Sequence, residues 1–479
     1  MDPPPAALPA ALIEALAAVV GRDSVLTDPS EILVYESDGS TLHAAPAGAV
    51  VYPTSTDEVA AVVAACARHD APFVARGAGT GLSGGAMALD GGVVVALNRM
   101  DAILAVDAEN RRAVVQPGVS NLAISRAVAE HGLYYAPDPS SQAVCTIGGN
   151  VAHNSGGPHT LKYGVTVNHV LGLELVLPDG QVVEIGGPDR PGYDLLALLT
   201  GSEGTMGIVT SVTVNLVRSP QAVRTLLAAF PTPDQASRAV AGIIAGGSVP
   251  AALEMMDATV VDALTAAFGL TFPVGAGALL LVEADGPEAG IDADAEAMAQ
   301  VCRDAGALSV RLAADEAERA EVWTARKKAF GALGRITRNY CTQDGVIPRT
   351  RLPEMLARIE SIGGHYGLRI ANVFHAGDGN LHPCILFDDT DEAQRSAVVS
   401  AGQEILAVCL ELGGSLTGEH GVGVEKREAM AKLFDPVDLS VMAGLRAAFD
   451  PDGRCNPKKV LPTGGGCVEL SPAHRQAAL

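Results

Sequence analysis

Residues 71–85, APFVARGAGTGLSGG, hold a literal G-x-G-x-x-G from Gly79 to Gly84, and how that match is read decides the fold. A Rossmann dinucleotide fingerprint must open a helix inside a βαβ unit of roughly 30 residues. Here the next β-rich run, GGVVVALNRM (91–100), begins too soon for a helix to fit, so the loop joins two strands instead. Its glycines still permit unusual backbone angles and let several N–H groups converge on an anion such as a pyrophosphate. Taken alone, the loop reads equally as a tight structural turn. Three further loops rich in Gly, Ser, Thr and Asn stand with it: PDPSS (137–141), TIGGNVAHNSGGPHTLKYG (146–164) and GSEGTMGIVT (201–210). Four loops of this kind in one lobe argue for a large, phosphate-containing cofactor lying along them.

Around these loops, from about residue 53 to 217, short β-rich runs alternate with helical interludes at 56–69 and 121–131, an α+β layout. After about residue 219 the texture turns to longer Ala-rich helices at 234–245, 291–305 and 315–335, with strands such as GALLLVEADG (277–286) and LRIANVFHAG (368–377). That change marks a domain boundary near 219. With 479 residues the chain exceeds the size at which a single core stops growing, which fits two or three lobes.

A formal charge of −22, with no extended Lys/Arg run, opposes a phosphate backbone and excludes nucleic acid as a partner. The apolar run at 6–21 contains Glu14 at helical spacing and has no Lys or Arg before Arg22, so it reads as an amphipathic helix and not a signal peptide. No charge-free apolar stretch reaches the roughly 18 to 20 residues needed to cross a bilayer. The expected location is cytoplasmic, with membrane contact only through partners. The eight cysteines never form Cys-x-x-Cys, which argues against an iron–sulfur cluster or zinc ribbon within this chain.

FHAGDGNLHP (374–383) sets His375 and His382 seven residues apart around Gly377-Asp378-Gly379, in a chain with only eleven histidines. The glycines disfavour a helix, so a strand, a turn and a returning segment would bring the two imidazoles together. TGEHG (417–421) adds Glu419 and His420. Two histidines and one carboxylate suit Zn²⁺, Mn²⁺ or Fe²⁺ with open positions for substrate. Buried histidines bonded to neighbouring groups are the other reading, and the residues alone leave both open.

Taken in series, PTSTDEV (53–59), RGAGTGLSGG (76–85), PDPSS, IGGNVAHNSGG (147–157), KYG (162–164) and GSEGTMGIV (201–209) resemble the FAD-binding domain of the vanillyl-alcohol-oxidase, or PCMH-type, flavoproteins. VWTARKKAFGALGR (322–335), DGVIPR (344–349), ANVFHAGDGNLHP (371–383), GGSLTGEHGVGVEKR (413–427) and FDPDGRCNPKK (449–459) are similar to the branch holding the catalytic flavin subunits of bacterial glycolate oxidases with D-lactate and D-2-hydroxyglutarate dehydrogenases. The resemblance implies an α+β fold: an FAD-binding PCMH-type domain of two α/β subdomains over 1–219, an inserted α+β cap over 220–414, and a segment over 415–479 returning to the FAD domain.

It also implies residue roles. Cofactor contacts are expected from Pro53; from Arg76, Gly77, Ala78, Gly79, Thr80, Gly81, Ser83 and Gly84; and from Gly118. Others are expected from Pro137, Asp138, Ser140 and Ser141, from Gly148, Gly149 and Asn150, and from Asn154, Ser155, Gly156 and Gly157. The set closes with Tyr163, Gly164, Glu203, Gly204, Gly207, Ile208, Asn456 and Lys458. Residues 76–85 contain neither His nor Cys for a covalent link, so FAD is expected to be non-covalent. The resemblance makes His375, His382 and Glu419 metal ligands with Zn²⁺ foremost, His420 the base, and Arg326 the grip on a substrate carboxylate. Trp323 reads as packing, and Asn380 as a residue orienting a ligand histidine or the flavin edge.

The chemistry implied is oxidation of a 2-hydroxy acid, with the hydroxyl proton taken by an imidazole and the Cα hydrogen passed to flavin. Dehydrogenases acting on D-2-hydroxyglutarate have a second basic residue after the cap helix, where this chain reads NYCTQDGVIP (339–348), so glycolate or D-lactate fits better. Without cluster cysteines, electrons would leave through partners: an iron–sulfur subunit and a second FAD-domain subunit. Two rivals are a metal-free flavin oxidase using O₂ and a catalytically idle flavin-binding assembly subunit.

Overall fold

Ser55 and Glu58 show how this sequence starts an element. In the computed structural model, which describes residues 7–40, 42–187 and 192–463, Ser55 Oγ accepts the N–H of Glu58 at 3.2 Å and the Glu58 carboxylate accepts that of Thr54 at 2.6 Å. The helix that follows, Thr56–Arg68, buries Val59, Val62, Val63 and Cys66, one stripe at helical spacing. That stripe packs against Phe73, Val93, Val95, Val176 and Ile208, with Leu12 and Leu16 of the helix Ala10–Val20 in the same core.

The chain divides into two compact units. The first gathers the described residues of 7–155, 165–218 and 419–463. One of its sheets runs in the order Val25–Leu26, Ala49–Val51, Val93–Ala96, Phe73–Arg76, with the last three strands parallel. The glycine loop therefore connects parallel neighbours, and residues 77–92 contain only the 3₁₀ turn Leu89–Gly91. A Rossmann crossover helix is absent from this connection, as the spacing required. The second sheet of this unit is antiparallel, in the order Ile103–Asp107, Arg112–Val115, Ile208–Asn215, Val170–Val176, Val182–Gly186. The returning C-terminal residues add to the open edge of the first sheet: Phe73 N–H donates to Arg454 O at 3.0 Å, and Asn456 N–H donates to Phe73 O at 2.8 Å.

The second unit gathers 156–164 and 219–418 around a largely antiparallel sheet. At its centre lie Ala222–Phe230, Ala278–Gly286, Ala252–Asp257 and Arg369–His375. Residues 278–284 are buried without alternation, as they must be when both faces of a strand are covered. Glu283 nevertheless stands inside that run, opposite Thr225 across the ladder. It survives there because donors surround it: Thr225 Oγ1 at 2.5 Å, Trp323 Nε1 at 2.7 Å, Arg319 Nε at 2.9 Å and His159 Nε2 at 3.2 Å.

His159 explains a departure from the sequence reading. Residues 156–164 are read there as part of the cofactor-domain loops, whereas they pack with the second unit. His159 stacks on Trp323 as well as meeting Glu283, Lys162 pairs with Asp285, and Tyr163 donates to Asp285 at 2.5 Å. Seven cysteines are buried free thiols, and Cys467 lies outside the described residues. Among the described residues no helix is long and apolar enough to cross a membrane.

Burial pushes the Glu283 carboxyl up, but its bonds to His159, Arg319 and Thr225 and the charge of Arg319 outweigh that and hold it well below the usual range. A carboxylate lowered in the folded state stabilises fully above its unfolded value of about 4.3 and loses that contribution as pH falls below it. Glu283→Gln should therefore cost about 2 to 3 kcal/mol at pH 7 in chemical denaturation. The gap from wild type should narrow steadily below about pH 4; a gap independent of pH would contradict this account.

Candidate active site

Strand register sets the first contact. Glu254 and His375 are opposed across the antiparallel strands Ala252–Asp257 and Arg369–His375, so their side chains share a face. His375 Nδ1 lies 2.6 Å from Glu254 Oε1, and Arg326 Nε, from the helix Glu316–Ile336, donates to Glu254 Oε2 at 2.7 Å. Glu254 is fully buried, with Arg326 and His375 each 3% exposed. Burial raises the Glu254 carboxyl, but the charges and hydrogen bonds of His375 and Arg326 overcome it, and the group sits below its ordinary value as a carboxylate. Arg326 Nη2 is buried and makes no hydrogen bond.

The chain turns after His375 through residues 376–379, and the last position of that turn is one that only glycine can fill. Gly379 has φ +81°, and a Cβ there would lie 2.1 Å from Ile347 O. Asn380 then pairs back on His375, and two residues later His382 arrives with its ring centroid 5.0 Å from that of His375. His382 Nδ1 lies 3.4 Å from the Gln343 carbonyl. Each histidine thus directs Nδ1 to an acceptor behind it, the carboxylate for one and a backbone carbonyl for the other. An Nδ1 directed at a carboxylate or a carbonyl is an orientation that metal-binding histidines commonly have.

Asp344, fully buried, accepts Thr417 Oγ1 and the Gly418 N–H, the latter at 3.1 and 3.2 Å. Glu419 and His420 are the next two residues of the chain and open the final stretch of the first unit. His420 Nε2 is 4.0 Å from Glu419 Oε1, and both side chains are half-buried. Beyond them, the Glu203 carboxylate accepts Val422 N–H at 2.6 Å and Gly423 N–H at 2.8 Å.

The first unit also carries the glycine loop. Gly79 and Gly84 have φ of +69° and +77°, and a Cβ at Gly79 would lie 2.3 Å from Arg76 Nη2. A model of the FAD binding domain matches residues 47–186, and one described as FAD linked oxidases, C-terminal domain, matches 219–460. The chain is 48% identical to glycolate oxidase subunit GlcD of Escherichia coli (strain K12) over 458 residues, covering 95% of this chain and 92% of the relative. The chain belongs to the FAD-linked oxidases.

A further relative of this FAD-linked oxidase is a D-lactate dehydrogenase of Anaerostipes hadrus, 34% identical over 86% of this chain and 89% of the relative. Among solved structures, p-cresol methylhydroxylase with substrate bound superposes with a TM-score of 0.75 at 18% identity, covering 94% of this chain and 96% of that one. The fold is accordingly PCMH-type, and the protein is an FAD-linked oxidoreductase.

The loops of the first unit fit FAD on their own chemistry. Ser83 Oγ, Thr146 Oγ1 and His153 Nδ1 are buried without hydrogen-bond partners, and Thr146 Oγ1 sits so close over Gly77 that a Cβ there would lie 2.1 Å from it. Buried polar atoms in this state call for an external partner.

Other residues assigned from the sequence to the cofactor have work inside the protein. Gly118 and Gly148 allow backbone packing, since a Cβ would lie 2.4 Å from Leu97 O and 2.7 Å from Pro117 Cβ. Pro137 O accepts Asn121 Nδ2, Asn154 Oδ1 accepts the Val167 N–H, and Ile208 is core. The Tyr163 hydroxyl is given to Asp285, and the Glu203 carboxylate to the 422–423 amides. Lys458 pairs with Asp90 at the exposed surface. The lysine that matters to the glycine loop is the next one: Lys459 is fully buried and donates to Gly85 O, Met87 O and Asn456 Oδ1. Asn456 Nδ2 joins it on Gly85 O and also binds Glu203 O.

Burial pushes Lys459 down to about 8, against the upward pull of Glu203 and Asp38. Replacing it by Met keeps the volume and removes three charge-assisted bonds that fix Gly85 and Met87. Lys459→Met should weaken FAD binding at least about tenfold, read by flavin fluorescence during dialysis, whereas Lys458→Met should leave it unchanged. Equal effects at the two positions would refute the assignment.

Proposed function

We propose that this FAD-linked oxidase converts a small 2-hydroxy acid, glycolate first and D-lactate second, to the 2-oxo acid. The observation that carries this reading is the Glu254 carboxylate, which holds His375 by one oxygen and Arg326 by the other. A carboxylate-gripping guanidinium and a ligand-type histidine set by one buried group suit a substrate whose carboxylate and hydroxyl lie on adjacent carbons. Two relatives, a glycolate oxidase subunit and a D-lactate dehydrogenase, agree with that class.

In this mechanism Arg326 Nη2 binds the substrate carboxylate, its geometry fixed by the Nε bond to Glu254. His420 accepts the hydroxyl proton as the Cα hydrogen leaves with its electron pair, so the substrate loses two electrons and two protons' worth of hydrogen. FAD, held non-covalently by the loops around Gly79, Ser83 and Thr146, supplies the hydride acceptor. His375, His382 and Glu419, the ligands that the sequence resemblance implies, would hold a divalent ion, Zn²⁺ foremost, which would supply Lewis acidity. Electrons then pass to a partner, an iron–sulfur protein being the class that accepts them one at a time, with a second FAD-domain subunit completing a cytoplasmic complex that reaches a membrane only through its partners.

Anaerobic mixing of the yellow protein with glycolate or D-lactate should bleach the flavin, and a chelator should slow it; a flavin that stays oxidised with both acids sinks this reading. His420→Ala should slow reduction by about 10² to 10⁴ while FAD stays bound, and a wild-type rate would remove it as base. Glu254→Gln should lower metal affinity by about 10 to 100-fold, checked by elemental analysis after dialysis against graded chelator.

A further inference from the structure

We infer that Glu203 is a positioning residue for the loop that carries His420. The inference rests on the reading of His420 as the base. Glu203 is 5% exposed and stands at φ +53° in the turn of GSEG, a left-handed conformation that a residue with a Cβ adopts only where its surroundings demand it. Its own backbone is tied on both sides: the N–H donates to Ala152 O at 2.8 Å, and the carbonyl accepts Asn456 Nδ2 at 2.8 Å. A rigid turn thus presents the carboxylate, and that carboxylate receives two successive amides, of Val422 and Gly423.

The receiving loop is shaped to that carboxylate. Gly421 has φ +83°, and a Cβ there would lie 2.7 Å from both Glu203 Oε1 and His153 Nδ1. Gly423 has φ +51°, and a Cβ would lie 2.1 Å from Ser83 O, whose carbonyl accepts the Val424 N–H at 2.9 Å. On the other side in sequence, Gly418 is held by the Asp344 carboxylate. Glu419 and His420 are therefore a dipeptide with a buried carboxylate gripping the backbone on each flank. Two charge-assisted bonds to consecutive amides fix a backbone far more tightly than glycine-rich sequence would by itself, and removal of the charge leaves both N–H groups buried without an adequate acceptor.

The test compares wild type, Glu203→Gln and Glu203→Asp as full chains loaded with FAD. Hydrogen exchange read by mass spectrometry should quicken at least about tenfold in the peptide spanning 419–426 of Glu203→Gln, with the 147–153 helix unaffected. Flavin reduction by glycolate should slow about 100-fold, the cost of a base displaced by about an ångström, with FAD affinity and the substrate concentration at half-saturation within about threefold of wild type. Glu203→Asp, which keeps the charge on a shorter arm, should recover part of the rate. Unchanged exchange in 419–426 overturns the inference whatever the catalytic result. Faster exchange with an unchanged reduction rate, or a rate loss matched by loss of FAD, overturns the positioning role in favour of a structural or cofactor-binding one. Failure of wild type to be reduced by any 2-hydroxy acid would fall on the reaction assigned above, and the exchange comparison would still decide the anchoring.

Discussion

A carboxylate sealed from water must be enclosed by donors, and the second unit is organised around two such groups. Glu254 and Glu283 lie on one face of the same sheet, and the helix Glu316–Ile336 crosses both, giving Arg319 and Trp323 to Glu283 and Arg326 to Glu254. The spacing of these three residues follows one helical face, so a single helix supplies the counter-charges for both acids. Each acid in turn orients a histidine: Glu283 meets His159, and Glu254 fixes His375. Remove the charge of Glu254 and the two polar groups closest to the proposed chemistry lose their common reference. The cap is thus a device for holding charge out of water, and the proposed substrate recognition draws on the donor that Arg326 has left over, its buried Nη2.

The first unit uses a different currency, the backbone itself. Glycine at 79, 84, 421 and 423 lets the chain pass within distances that a Cβ would forbid, and the polar atoms bared by those passages line the loops assigned to FAD. Asn456, Lys458 and Val460 all have positive φ, at +43°, +59° and +69°, so the returning segment is wound tightly where it meets the glycine loop. This winding turns Lys459 inward and Lys458 out. The buried ammonium then ties the carbonyls of 85 and 87 together, sharing Gly85 O with Asn456 Nδ2.

Much of this was legible in the sequence, and the failures have physical causes. The short interval between the glycine loop and the next strand excluded a Rossmann unit, and the parallel connection without an α-helix follows from it. The Gly-Asp-Gly turn foretold a return that brings His375 to His382. What sequence could not supply was the partner of a lone acid. Glu254 in AALEMMD and Glu283 in LLLVEADG are visible as charges inside apolar runs, but their partners lie on strands and helices remote in the chain. The choice between Lys458 and Lys459 depends on backbone winding in a turn, where one residue of phase reverses inside and outside. Segment 156–164 reads as one more polar loop, because its allegiance is set by Asp285 and Glu283, more than a hundred residues onward.

The pairing of Phe73 with residues 454–456 bears on how the protein comes into being. The strand that leads into the glycine loop precedes the second unit in the chain, yet its outer edge is covered by a segment that follows that unit. Unit two, apart from its short 156–164 insert, is continuous and can close while the ribosome is still extending the chain. The first sheet must wait with an open strand edge until the whole second unit has been made, so there is an interval late in synthesis when the cap can already be closed while the strand leading into the glycine loop is still uncovered.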